Sequence, residues 1–129
     1  MKNLKLSLGT ALLVVAAVAG AQPPAIKRVD IQKHDLSVPG REVVQVRVEI
    51  DPGAVIGKHT HPGEEVTYVL DGVLQLEIEG MPPKSIGAGE AFTVPAGTVH
   101  GARNSGSSTA KALVTYIVEK GKPVATPVK

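Results

Sequence analysis

The sequence contains no cysteine and no tryptophan, and its aromatic side chains are Tyr68, Phe92 and Tyr116. Without cysteine there is no disulfide, no thiolate metal site, no cysteine nucleophile and no lipid-modified N-terminal cysteine. Three aromatics make no platform for stacked bases, and no Lys/Arg cluster makes an electrostatic footprint for DNA or RNA. No segment after residue 21 has the period of a long amphipathic helix. The basic balance is also thin. Lys and Arg number 14 against 12 Asp and Glu, and Lys2 and Lys5 lie in an acid-free N-terminal segment, so the rest of the chain is formally neutral. What is plentiful is punctuation. Fourteen glycines and ten prolines in 129 residues suit short strands and tight turns.

Residues 1–21 read as a cleavable export leader. Met1–Ser7 carries two lysines, Leu8–Gly20 is apolar, and Ala19-Gly20-Ala21 places small residues where a signal peptidase reads. The apolar run from Leu6 to Ala21 is 16 residues, short of the roughly 20 that span a bilayer. The expectation is cleavage after Ala21, a periplasmic or secreted protein, and no stable membrane association afterwards.

The remaining chain divides into an N-terminal extension and first strand (22–42), a barrel (43–119) and a C-terminal tail (120–129), with Lys120, Lys122 and Lys129 read as solvated. Arg28–Leu36 shows no clear period. Val44, Val46, Val48 and Ile50 alternate with Gln45, Arg47 and Glu49, which places the aliphatic side chains on the inner face of a half-buried strand. Leu74, Leu76 and Ile78 alternate in the same way. Val66–Leu70 followed by Asp71-Gly72 reads as a strand entering a hairpin. Ala91–Val94, Val99–Arg103 and Leu113–Val118 are further strands. The last is apolar on both faces and so is covered on both sides or meets a second subunit. Short strands separated by Gly/Pro turns predict an all-β, antiparallel sandwich or barrel.

Three of the four histidines fall beside turns in this strand-like sequence. His59 and His61 are two residues apart and share a face on extended backbone, and Glu65 keeps that face if Pro62-Gly63 bends without changing parity. Two imidazoles and a carboxylate on one face suit a divalent metal. His100, in a second turn, closes a four-ligand set if the sheet folds back. His34 has no partner in the pattern and reads as surface.

Two complete motifs give these residues a context. The first is Gly53, five residues, His59, one, His61, three, Glu65, six, Gly72; the second is Gly89, five residues, Pro95, one, Gly97, two, His100, three, Asn104. Sixteen residues, Val73–Ala88, separate them. With these motifs the sequence resembles the cupin family, of the small single-domain kind. The resemblance implies a jelly-roll barrel of six to eight strands. It also implies one divalent metal (Fe, Mn, Ni, Cu or Zn) held inside by His59, His61, Glu65 and His100, with Asn104 a turn residue.

Such a centre keeps open positions and a net positive charge, which favours anionic oxygen donors such as carboxylates, enolates or phenolates. Thr67 and Val69 continue the Glu65 face inward. Phe92, Val94 and the Val44–Ile50 stripe are candidate pocket walls. Glu64 and Tyr68 are the nearest candidates for a separate general base. The implied function is a metal-dependent dioxygenase or isomerase/lyase acting on a small oxygenated organic molecule. The alternative is a cupin that binds a small ligand or metal without turnover. A homodimer is expected from the two-sided strand Leu113–Val118.

Overall fold

The computed structural model describes residues Gly20–Lys129, so residues 1–19 of the expected leader lie outside the described residues. Among the described residues there is no helix, and so none that could cross a membrane. Ten strands follow in order: β1 (Ile26–Asp35), β2 (Arg41–Ile50), β3 (Val55–Thr60), β4 (Gly63–Asp71), β5 (Val73–Ile78), β6 (Lys84–Gly87), β7 (Ala91–Val94), β8 (His100–Arg103), β9 (Ala110–Glu119) and β10 (Thr126–Pro127). They form two five-stranded sheets, β1-β2-β9-β4-β7 and β10-β3-β8-β5-β6, in which every pairing is antiparallel. The alternating strands and turn residues predict the antiparallel all-β architecture, and the family resemblance implies this double-sheet jelly roll. The strands exceed the expected six to eight because β1 and the two-residue β10 each extend one sheet at an edge.

Alternation explains the core. Val46, Val48 and Ile50 on β2 are 1–2% exposed, whereas Gln45, Arg47 and Glu49 keep partial access to solvent. On β9 every second residue from Ala110 to Val118 is buried. Leu74, Leu76 and Val69 close the core from β5 and β4. Each Val, Leu or Ile so buried contributes about 1.5–3 kcal/mol of transfer free energy.

Two expectations are corrected. Asp71-Gly72 does not form a hairpin: β4 pairs with β9 and β7, and β5 pairs with β8 and β6, so this turn carries the chain from one sheet to the other. Gly72 has φ +74°, and a Cβ there would lie 2.9 Å from Ala110 Cα. The dipeptide specifies a left-handed corner; whether the flanking strands pair depends on their other neighbours. The C-terminal segment is also more ordered than a tail: its lysines are exposed as expected, but the chain folds back along β3, with Thr126 opposite Thr60 and Pro127 opposite His59.

Candidate metal centre

Four side chains converge at one end of the barrel, and each arrives by a different route. His59 lies near the end of β3, directly opposite His100, the first residue of β8. His61 sits in the link from β3 to β4. Glu65 lies on β4 in the other sheet, with Thr67 and Val69 on the same inward face. The Pro62-Gly63 bend therefore keeps the parity that brings Glu65 to the histidines. Gly63 makes the approach possible: a Cβ at this position would lie 1.9 Å from Ile117 O. Pro95 and Gly97 end β7, and the Gly97 amide donates to His61 O at 3.0 Å, tying the turn before His100 to the link that carries His61.

The donor atoms of His59, His61, Glu65 and His100 all lie within 4.8 Å of one another. His61 Nε2 is 2.8 Å and His100 Nε2 2.9 Å from the same oxygen, Glu65 Oε2, and the Nε2 atoms of His59 and His61 are 3.1 Å apart. His61, Glu65 and His100 are buried at 4%, 7% and 3% exposure.

The far side of each ring explains what these nitrogens offer. Nδ1 of His59 meets Gly57 O at 2.7 Å, Nδ1 of His61 meets Val124 O at 2.6 Å, and Nδ1 of His100 meets Thr98 O at 2.9 Å. A carbonyl oxygen only accepts, so each Nδ1 must carry its proton. In the neutral ring Nε2 is then a bare lone pair. Three such lone pairs and a carboxylate oxygen point at one another, and only positive charge between them satisfies the group. Protons do this pair by pair, whereas a divalent cation does it for all four at once. Ligand atoms about 2.1 Å from one ion at right angles sit about 3 Å apart, close to the three short separations here, 2.8, 2.9 and 3.1 Å. The donor set therefore fits a divalent transition metal. Backbone carbonyls behind metal-binding imidazoles are a familiar means of fixing tautomer and orientation.

With protons in place of a cation, burial by itself would raise the Glu65 carboxyl, but hydrogen bonds from the doubly protonated His100 and His61 rings and from the Thr67 hydroxyl hold it far below the usual carboxylate range. Thr67 Oγ1 donates to Glu65 Oε1 at 2.7 Å, leaving Oε2 turned to the histidines. Burial lowers the His59 imidazole, against the Gly57 carbonyl that raises it. Burial also opposes the charge on His100, but the Glu65 carboxylate outweighs it and raises that ring.

Beside the cluster is a cavity of about 50 Å3, room for a few waters. Its walls include Val48, Ile50, Leu74, Leu76, Phe92 and Val114. Phe92 lines it as expected; Val94 is buried in the core and does not. The proposed bases are elsewhere. Glu64 and Tyr68 alternate with Glu65 and Thr67 on β4, so they point to the outer face, with Tyr68 46% exposed. Asn104 is a turn residue: its amide donates to Ile50 O and Ser108 O, and its oxygen accepts from Gly106 N. His34 is exposed on β1.

The sequence reading missed two polar residues of the cavity. Tyr116, on β9, lies with its ring 4.7 Å from that of His61, and burial together with the Glu65 charge pushes its phenol up. Arg28 reaches over from β1 and donates to the Tyr116 oxygen at 3.4 Å. Neither lies in the histidine motifs, and the register between β1, β2 and β9 was the only link.

Comparison with known proteins places this geometry. Residues 46–116 match the cupin domain family. Germin-like protein subfamily 2 member 2 of Arabidopsis thaliana is 31% identical over 109 residues, 78% of this chain and 48% of that protein. The chain thus spans about half the length of this relative. Among solved structures, the DMSP lyase DddQ of Ruegeria pomeroyi is 26% identical with a TM-score of 0.61, over 67% of this chain and 43% of that one. KdgF from Halomonas sp. is 27% identical with a TM-score of 0.59, over 74% of this chain and 81% of that one. The two motifs, the two-sheet barrel and the match across most of its strands agree: the chain belongs to the cupin domain family.

Proposed function

We propose that this cupin is a metal-dependent enzyme, a dioxygenase or an isomerase/lyase, acting on a small oxygenated organic acid. The observation that carries the reading is the convergence of His59, His61, Glu65 and His100 beside a small apolar cavity. A divalent metal held there would act as a Lewis acid on an oxygen donor of the substrate. The chain's own residues do the rest. Three carbonyls hold the imidazoles with Nε2 inward, Thr67 orients Glu65, and the aliphatic walls limit water around the reacting group. Similarity to a DMSP lyase at 26% identity supports the lyase arm of the reading.

The test is turnover. Protein loaded in turn with Fe, Mn, Ni, Cu and Zn, incubated in air with small hydroxy- and oxo-acids, should form product, and His61→Ala protein should not. Saturable binding without product in every metal form contradicts catalysis and establishes the second reading, a ligand-binding cupin. One observation favours that second reading. Apart from the four clustered residues, the described side chains lining the cavity include no His, Lys, Asp or Glu to serve as a general base.

The proposal also includes export, which N-terminal sequencing of the secreted protein tests, with a start at Gln22 expected and a start at Met1 contradicting it. It includes a homodimer as well. On the outer face of the β4 sheet, Val66, Tyr68 and Leu70 are 38–46% exposed beside Leu113 and Ile117, a surface suited to a second copy. A monomer mass by light scattering contradicts it.

A further inference from the structure

A groove of about 270 Å3 adjoins the cavity, and Arg28, Ile56, His59 and Tyr116 line both. At this shared mouth Arg28 is placed by its strand: it lies on β1 opposite Val48 of β2, one of the cavity-lining residues. Its guanidinium carbon lies 5.9 Å from the Tyr116 ring centroid, and its one side-chain partner is the Tyr116 oxygen at a long 3.4 Å. Among the described residues Arg28 makes no ion pair, although Arg47 and Arg103 each do. A guanidinium has five donors in a planar fork that matches a carboxylate in two-point contact. Most of these donors are uncommitted at Arg28. Lys58 adds a second positive charge on the groove.

We propose that Arg28 is a second anchor for the ligand. It receives the carboxylate of a short acid whose other end carries an oxygen donor that reaches the His59–His61–Glu65–His100 cluster. Substrates of this class are small aliphatic dicarboxylates and acids with a second oxygen function. The aliphatic walls between the two polar ends take the connecting carbons, and the small cavity limits their number. Arg28 is here a binding and specificity residue, and the inference rests on the cluster being a metal centre.

The test is calorimetric titration of zinc-loaded, full-length protein after its metal content has been measured. The probes are malonate, succinate and glutarate, each against the monocarboxylate of equal chain length. Wild-type protein should bind at least one of the diacids tenfold or more tighter than its monoacid, the scale of a charge-assisted hydrogen bond. Arg28→Gln should lose that preference at unchanged metal content, and Arg28→Lys should recover part of it. Metal-loaded wild-type protein with no preference, or an Arg28→Gln protein that keeps it, overturns the role of Arg28 alone. Folded wild-type protein that takes up no zinc overturns the metal centre and this inference with it.

Discussion

At the scale of single residues, the site is a set of lone pairs aimed by groups behind them. The convergence of His59, His61, Glu65 and His100 was legible because the two motifs fix their order and spacing. Their supports were not. A backbone carbonyl such as Val124 O has no sequence signature, and it reaches His61 from 63 residues away. Arg28 and Tyr116 were hidden for the same reason: the contact joins residues 88 apart in sequence. Thr67 was placed inward by parity, but its bond to Glu65 was not foreseen. That bond gives the first prediction. Thr67→Val keeps the volume and removes the donor to Glu65 Oε1, so the carboxylate loses its fixed orientation. Metal affinity should fall about 10–100-fold with the fold retained, measured by competition with a chromophoric chelator. Unchanged affinity would show that the hydroxyl holds nothing in place.

At the scale of elements, the legible strands were those with one dry and one wet face. β2 and β5 alternate cleanly because their sheets cover a core on one side only. β1 was illegible because nine of its ten residues are exposed, leaving no hydrophobic period to read. The corner at Gly72 was misread because turn chemistry fixes local dihedrals and not which strands pair. Gly63 is the position where an element and the site depend on each other most directly. A Cβ there would meet Ile117 O at 1.9 Å and Val118 Cα at 2.7 Å, both backbone atoms that cannot rotate away. Gly63→Ala should destabilise the protein by about 1–3 kcal/mol in denaturant unfolding and displace Glu65 with β4. Gly57→Ala, where nothing lies within 4 Å, is the control and should cost far less. Equal effects of the two substitutions would contradict the close-approach account.

At the scale of the whole molecule, the cluster joins the two sheets. His59 and His100 belong to one sheet and Glu65 to the other, so an ion held between them would link both halves of the barrel. A ligand of the folded state present at 100 times its dissociation constant adds about 2.7 kcal/mol of stability. Removing the metal with a chelator should therefore lower Tm on the order of 10 °C, and His100→Ala protein should show no response. A chelator effect of equal size in the variant would place the bound metal elsewhere. The antiparallel all-β fold was legible from punctuation and alternation and the barrel from the two motifs, whereas its edge strands and its closing C-terminal segment depend on contacts that a single sequence does not display. The most direct test of the central claim is metal content per chain, measured by mass spectrometry on protein purified from its host, with His100→Ala alongside. The account predicts about one equivalent of a transition metal in the wild type and its loss in the variant. Folded wild-type protein without metal, or a variant that keeps the same equivalent, would contradict it.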